Sequence, residues 1–96
     1  MFIAIAQFPK INEGKETKFL EWFAWSNEEF SQFKGFVRRR LLKSQGGGNY
    51  AALIEFETFE DFKVVGGSPF HAVSAKRVAQ LLDGNPVPAS YVEVMG

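Results

Sequence analysis

Residues 36–57 read FVRRRLLKSQGGGNYAALIEFE. Two β-rich runs, 36–44 and 50–57, flank Gln45-Gly-Gly-Gly-Asn49. Glycines in a row give the backbone the freedom to reverse, so this stretch predicts one antiparallel hairpin. Side chains alternate along a strand. Arg38 and Arg40 are therefore expected on one face with Phe36 and Leu42, and Arg39 on the other with Val37 and Leu41. Upstream of the hairpin, residues 2–8 (FIAIAQF) make a strand that Pro9 stops. Its faces carry Phe2, Ala4, Ala6 and Phe8 on one side and Ile3, Ile5 and Gln7 on the other. Asn12-Glu13-Gly14 is a turn, and a helix follows from about Lys15 to Gln32. Phe19, Trp22, Phe23, Ser26, Phe30 and Phe33 recur along it at helical spacing as one broad stripe. A break at Ser26-Asn27 is one way to read it.

Downstream, Thr58-Phe-Glu-Asp61 has the form of a helix N-cap with acids suited to the helix dipole. Gly66-Gly67 interrupts that helix, and Ser68-Pro69 restarts one that runs to about Leu82. Asn85-Pro-Val-Pro88 reads as a rigid connector and 90–95 as the last strand. The order β-α-β-β-α-β specifies an α+β domain, residues 1–96, with the ferredoxin-like split β-α-β arrangement and an antiparallel sheet. The helices cover only one face of that sheet, and the other face is apolar too. A second copy of the chain is the simplest cover, which predicts a homodimer.

Composition narrows the function classes. A chain of 96 residues buries only about two-thirds of its extended surface, so a partner subunit would help it. Eleven Phe, two Trp and two Tyr supply a rich core, an interface or a pocket lining. Eleven basic residues balance eleven acidic ones, and no net field draws the chain to nucleic acid or to a membrane. The absence of cysteine excludes disulfides and thiol chemistry. No stretch has the form of a signal peptide or a membrane span, so a soluble, cytoplasmic protein is expected. The carboxylates and the single histidine show no ligand spacing, and no metal site is expected.

Several residues are candidates for chemistry, each with a plainer reading beside it. His71, the only histidine, shares a stripe with Ala75, Val78 and Leu82. An imidazole there could act as acid or base on a phenolic substrate, or could bond a backbone carbonyl or a carboxylate near the helix start. Gln7 could orient a substrate oxygen or be satisfied by strand neighbours. Trp22, Phe23 and Trp25 beside Asn27 suit a flat conjugated ligand, or belong to core and interface. Arg38 and Arg40 could pair with Glu55 and Glu57 across the hairpin, or one arginine, Arg40, could stabilise a substrate oxyanion. Tyr50 and Tyr91 each offer a phenol to a pocket or pack on their strands.

GKETKFLEWFAWSN from Gly14, Lys34-Gly-Phe36, Arg39-Arg-Leu-Leu-Lys43, Tyr50 leading to Ile54-Glu55, Glu60-Asp-Phe62 and Ser68-Pro-Phe-His71 resemble the antibiotic-biosynthesis-monooxygenase-like family. The resemblance spans nearly the whole chain. It implies a dimeric α/β barrel with a pocket between helices and sheet in each subunit. Some members oxygenate polyphenols with O2 and no cofactor, others degrade haem, and others have no established reaction. The haem-degrading pattern has Asn, Trp and His where this sequence has Gln7, Val65 and Ala75. Haem is therefore disfavoured. The resemblance implies a cofactor-independent monooxygenase or oxidase acting on a small flat quinol-like aromatic. Catalysis would rest on His71, Gln7, Asn27 and Arg40, and substrate binding on Trp22, Phe23, Trp25 and Tyr50. The alternatives are a non-catalytic dimer that binds an apolar ligand such as haem, and a dimer whose pocket is filled by its own phenylalanines. A cavity beside His71 separates the first two readings from the third.

Overall fold

Two serine and threonine caps set the helical half of the molecule. Thr58 accepts the Asp61 N–H at 3.1 Å, and Ser68 accepts the His71 N–H at 3.3 Å with Pro69 next in line. In the computed structural model, which describes residues 1–96, the elements run β1 (Phe2–Gln7), α1 (Glu16–Phe30), β2 (Phe36–Lys43), β3 (Tyr50–Phe56), α2 (Phe59–Gly66), α3 (Pro69–Ala79) and β4 (Val87–Val92). The strands form one antiparallel sheet in the order β2-β3-β1-β4. This is the ferredoxin-like α+β arrangement anticipated from the element order. No helix is long and apolar enough to cross a membrane.

The stripe on α1 is buried as its spacing requires, through Phe19, Trp22, Phe23, Ser26 and Phe30. The helix is not broken at Ser26-Asn27. The Ser26 hydroxyl donates to the Phe23 carbonyl at 3.0 Å, a back-bond that satisfies a buried polar group without interrupting the helix. The stripe packs on the sheet face that carries Phe2, Phe8, Ala52, Ile54 and Phe56.

Two expectations are corrected. A β-bulge lies between Phe36 and Arg38, so that Phe36 stands opposite Phe56 while Arg38 stands opposite Glu55. The extra residue turns Phe36 to the helix side, where its ring meets Phe56 edge-on at 5.7 Å. Phe36 thus shares a face with Arg39 and Leu41, not with Arg38 and Arg40. The last strand also begins earlier than expected. Val87 and Pro88 belong to β4, opposite Gln7 and Ala6. A proline is tolerated there because β4 is an edge strand.

The sheet's second face is uncovered in the single chain. Ile3 lies opposite Tyr91, and Ile5 lies between Ala89 and Leu53, which makes one continuous apolar band. Tyr91 is 56% exposed and Leu42, on the same face, 43%. The Arg38–Glu55 ion pair at 2.7 Å borders that band.

Gly35 joins α1 to β2 with φ +83°, and a Cβ there would collide with the Asp61 side chain. Gly35→Ala should cost about 2–3 kcal/mol in urea unfolding, from left-handed strain plus the displaced carboxylate. Gly66→Ala, which meets no atom within 4 Å, should be neutral or stabilise by up to about 1 kcal/mol.

Candidate active site

Alanine makes the room for the site. Ala4 lies opposite Ile54 and Ala6 opposite Ala52 on neighbouring strands, all facing the helices. Larger side chains at these positions would fill the space below α1 and α3. Instead a cavity of about 350 Å³ opens there. It is walled by Trp22 and Phe30 from α1, Val65 from α2, and Ser74, Ala75 and Val78 from α3, with Pro86 and Pro88 on the β4 side. The buried core divides into two apolar clusters, and members of both line this cavity. Phe8, Trp22, Ala52 and Val78 come from one cluster, and Phe30, Ile54 and Val65 from the other.

Two ionisable side chains, Arg39 and His71, reach the cavity. His71 sits in the first turn of α3, where the Ser68 hydroxyl holds its backbone N–H. Its side chain is exposed at the cavity's edge. Trp22 is fixed more firmly. Its indole Nε1–H donates to the Ser74 carbonyl at 3.0 Å, which ties α1 to α3 and sets the ring as a rigid wall.

Arg39 is turned to the helix side of β2, opposite Ile54. Its Nη1–H donates to the Ser26 hydroxyl at 2.9 Å. The guanidinium carbon lies 4.0 Å from the Phe23 ring centre, 4.6 Å from Phe30 and 5.6 Å from Trp22. Aromatic faces attract a cation, but they leave its N–H donors unused. No carboxylate lies in the cavity wall, and the nearby Glu55 is taken by Arg38 on the opposite face. Burial without a compensating anion lowers the Arg39 pKa to about 9, so the side chain keeps its charge at neutral pH. The site therefore offers a flat apolar slot, a fixed cation within it and an imidazole at its edge.

No family model matches the sequence, and no curated protein matches it. Solved structures do match in shape. A protein from Nitrosomonas europaea, provisionally assigned as an antibiotic biosynthesis monooxygenase, superposes with a TM-score of 0.82 at 18% identity, over 99% of this chain and 100% of the other. A provisionally assigned antibiotic biosynthesis monooxygenase from Bordetella bronchiseptica gives 0.83 at 20% identity, over 98% and 97%. SnoaB, a cofactor-independent oxygenase from Streptomyces nogalater, gives 0.79 at 17% identity, over 99% and 92%. This chain has the antibiotic biosynthesis monooxygenase fold.

Within that fold, the structure brings together only part of the residue set anticipated from the sequence. His71 and Trp22 line the cavity, and Phe23 backs it by stacking on Arg39. Gln7 and Arg40 lie on the opposite face of the sheet, Arg40 opposite Leu53. The arginine that reaches the cavity is Arg39, because β2 turns Arg39 and Leu41 toward the helices. Asn27 does not line the cavity; its Oδ1 is buried without a hydrogen-bond partner. Trp25 packs on Phe70 at 5.6 Å and beneath Arg77 at 4.2 Å, away from the cavity. Tyr50 lines a separate small hollow, where its hydroxyl donates to Glu16 at 3.0 Å. Partial burial and the Glu16 carboxylate raise its pKa, so the phenol stays protonated at neutral pH.

Sequence reasoning missed Arg39, Ser26 and Ser74. The available signal for Arg39 was the run of three arginines on one strand, since alternation sends at least one of them toward the helices. The residues present do not fit haem in the degrading mode. Ala75 lines the cavity without a ligating atom, Val65 is core, and His71 stands one helical turn earlier.

Arg39 is partly buried and faces no carboxylate. Arg39→Met, which keeps the bulk among the three rings, should unfold at a Tm no lower than the parent and be up to about 2 kcal/mol more stable. Trp22→Ala should lose about 3–5 kcal/mol in the same thermal scans.

Proposed function

We propose that the protein is a homodimeric, cytoplasmic, cofactor-independent monooxygenase or oxidase that acts with O2 on a small, flat, quinol-like aromatic. The observation that carries this reading is the apolar cavity of about 350 Å³ with the chain's one imidazole at its edge. An electron-rich phenol becomes a good electron donor to O2 once it is deprotonated. The protein then has three tasks: to bind the ring, to take the proton and to exclude water. In this reading Trp22 and Phe30 wall the ring, His71 accepts the proton, and the alanine floor leaves the ring room. The likeness to SnoaB, a cofactor-independent oxygenase, supports the same chemistry.

Oxygen uptake with a panel of hydroquinones and dihydroxynaphthalenes tests the reading. His71→Ala should lower kcat about 10²-fold with little change in KM, the usual size of a lost general base. An unchanged rate would remove His71 from the mechanism. If the panel binds but no oxygen is consumed, the protein is instead a non-catalytic binding module for apolar ligands.

The dimer reading rests on the uncovered band of Ile3, Ile5, Leu53 and Tyr91. A second sheet laid on this band would bury it about a two-fold axis. Sedimentation should show a dimer for the parent chain and a monomer for Ile5→Asp, which puts a carboxylate between Ala89 and Leu53 with no cation opposite it. A parent chain that sediments as a monomer would refute the dimer.

A further inference from the structure

Arg39 is built as one half of an ion pair, and the chain does not supply the other half. Of the other cations on the strand two are paired, and the third, Arg40, is exposed to solvent. Arg38 meets Glu55 at 2.7 Å and Lys43 lies 3.8 Å from Glu16. Arg39 has a hydroxyl and three aromatic rings around it but no carboxylate. Arg39 is partly buried, so its guanidinium gives up part of its hydration, and the rings return only part of that loss. Its single hydrogen bond to Ser26 leaves most of a five-donor fork unused. Ser26 is itself buried and donates to the Phe23 carbonyl, so its oxygen is free to accept from Arg39. The free volume beside this fork is the cavity.

We infer that the cavity selects an aromatic ligand carrying an ionised oxygen group, a carboxylate or an acidic phenolate, which seats against the Arg39 guanidinium. Two parallel N–H donors match the two oxygens of a carboxylate, one or two converge on a phenolate oxygen, and low surrounding polarity strengthens either contact. The inference rests on the reading of the same cavity as the substrate site, and it narrows the substrate class. A neutral ring would leave the cation unpaired in an apolar slot and would bind less tightly. With the anionic end held at Arg39, the ligand can enter in one orientation, and the His71 edge of the cavity receives the other end. Arg39 would thereby set specificity and position the reacting ring.

Calorimetric titration at pH 8 with two matched pairs tests this directly. The first pair is 2-naphthoate and 2-naphthamide; the second is 4-nitrophenolate and 4-nitroanisole. The parent protein should bind the anion of at least one pair 10-fold or more tightly than its neutral partner, and the pair that shows it distinguishes carboxylate from phenolate. Arg39→Met should abolish that preference while unfolding at the parent's Tm or above, and Arg39→Lys should keep part of it. Equal binding of anion and neutral partner by the parent, no binding of either, or a preference that survives Arg39→Met would each overturn the inference. The outcome is independent of turnover. An anion preference without oxygen uptake sinks the oxygenase reading alone, and oxygen uptake without an anion preference sinks the anion site alone.

Discussion

One sheet face has to be covered by one aromatic helix. Phe19, Trp22, Phe23 and Phe30 of α1 are buried against that face. Fully burying a large apolar side chain contributes about 1.5–3 kcal/mol, so these four rings carry a large share of the core beside the sheet residues Phe2, Phe8, Ile54 and Phe56. Helix α3 docks beside it through the Trp22 indole and the Ser74 carbonyl. The caps of α2 and α3 are set locally, and the facing of the β2 side chains by the bulge in its pairing with β3.

The same packing explains why a cavity persists. Rings are rigid, and α1 meets the sheet where its floor is alanine. The helix cannot settle further, because Phe8 and Phe19 on one side and Phe30, Phe56 and Val65 on the other hold it at a fixed height. Edge-on contacts such as Phe8 with Phe19 at 5.1 Å fix those heights closely. The core is thus two packed halves with a slot between them. Arg39 reaches into that slot from β2 and is held there by Ser26 and the surrounding rings.

Three consecutive arginines show how far strand geometry separates identical residues. Arg38 is a surface ion-pair partner, worth little to stability. Arg40 stands on the open face opposite Leu53. Arg39, between them, is held beneath the aromatic stripe. Their chemistry is the same, and only the face differs.

The sequence by itself determined the element order, the hairpin at Gly46–Gly48, the buried face of α1 and the two helix caps, because periodicity and local capping are short-range properties. It also offered His71 and Trp22 as candidates, Trp22 on the aromatic stripe of α1 and His71 on the stripe with Ala75 and Val78. Tertiary structure decided the rest. The bulge at Phe36–Arg38 arises from pairing with β3, and no local signal in FVRRR marks it. That Val87 and Pro88 join β4 depends on their lying at the sheet edge. Gln7, Asn27, Arg40, Trp25 and Tyr50 are polar or aromatic in the right neighbourhoods of sequence, yet whether such a side chain meets a cavity depends on which sheet face is covered. Arg39 enters the site for that same reason: partner strands and the helix above them, not its own neighbours in the chain, choose its face.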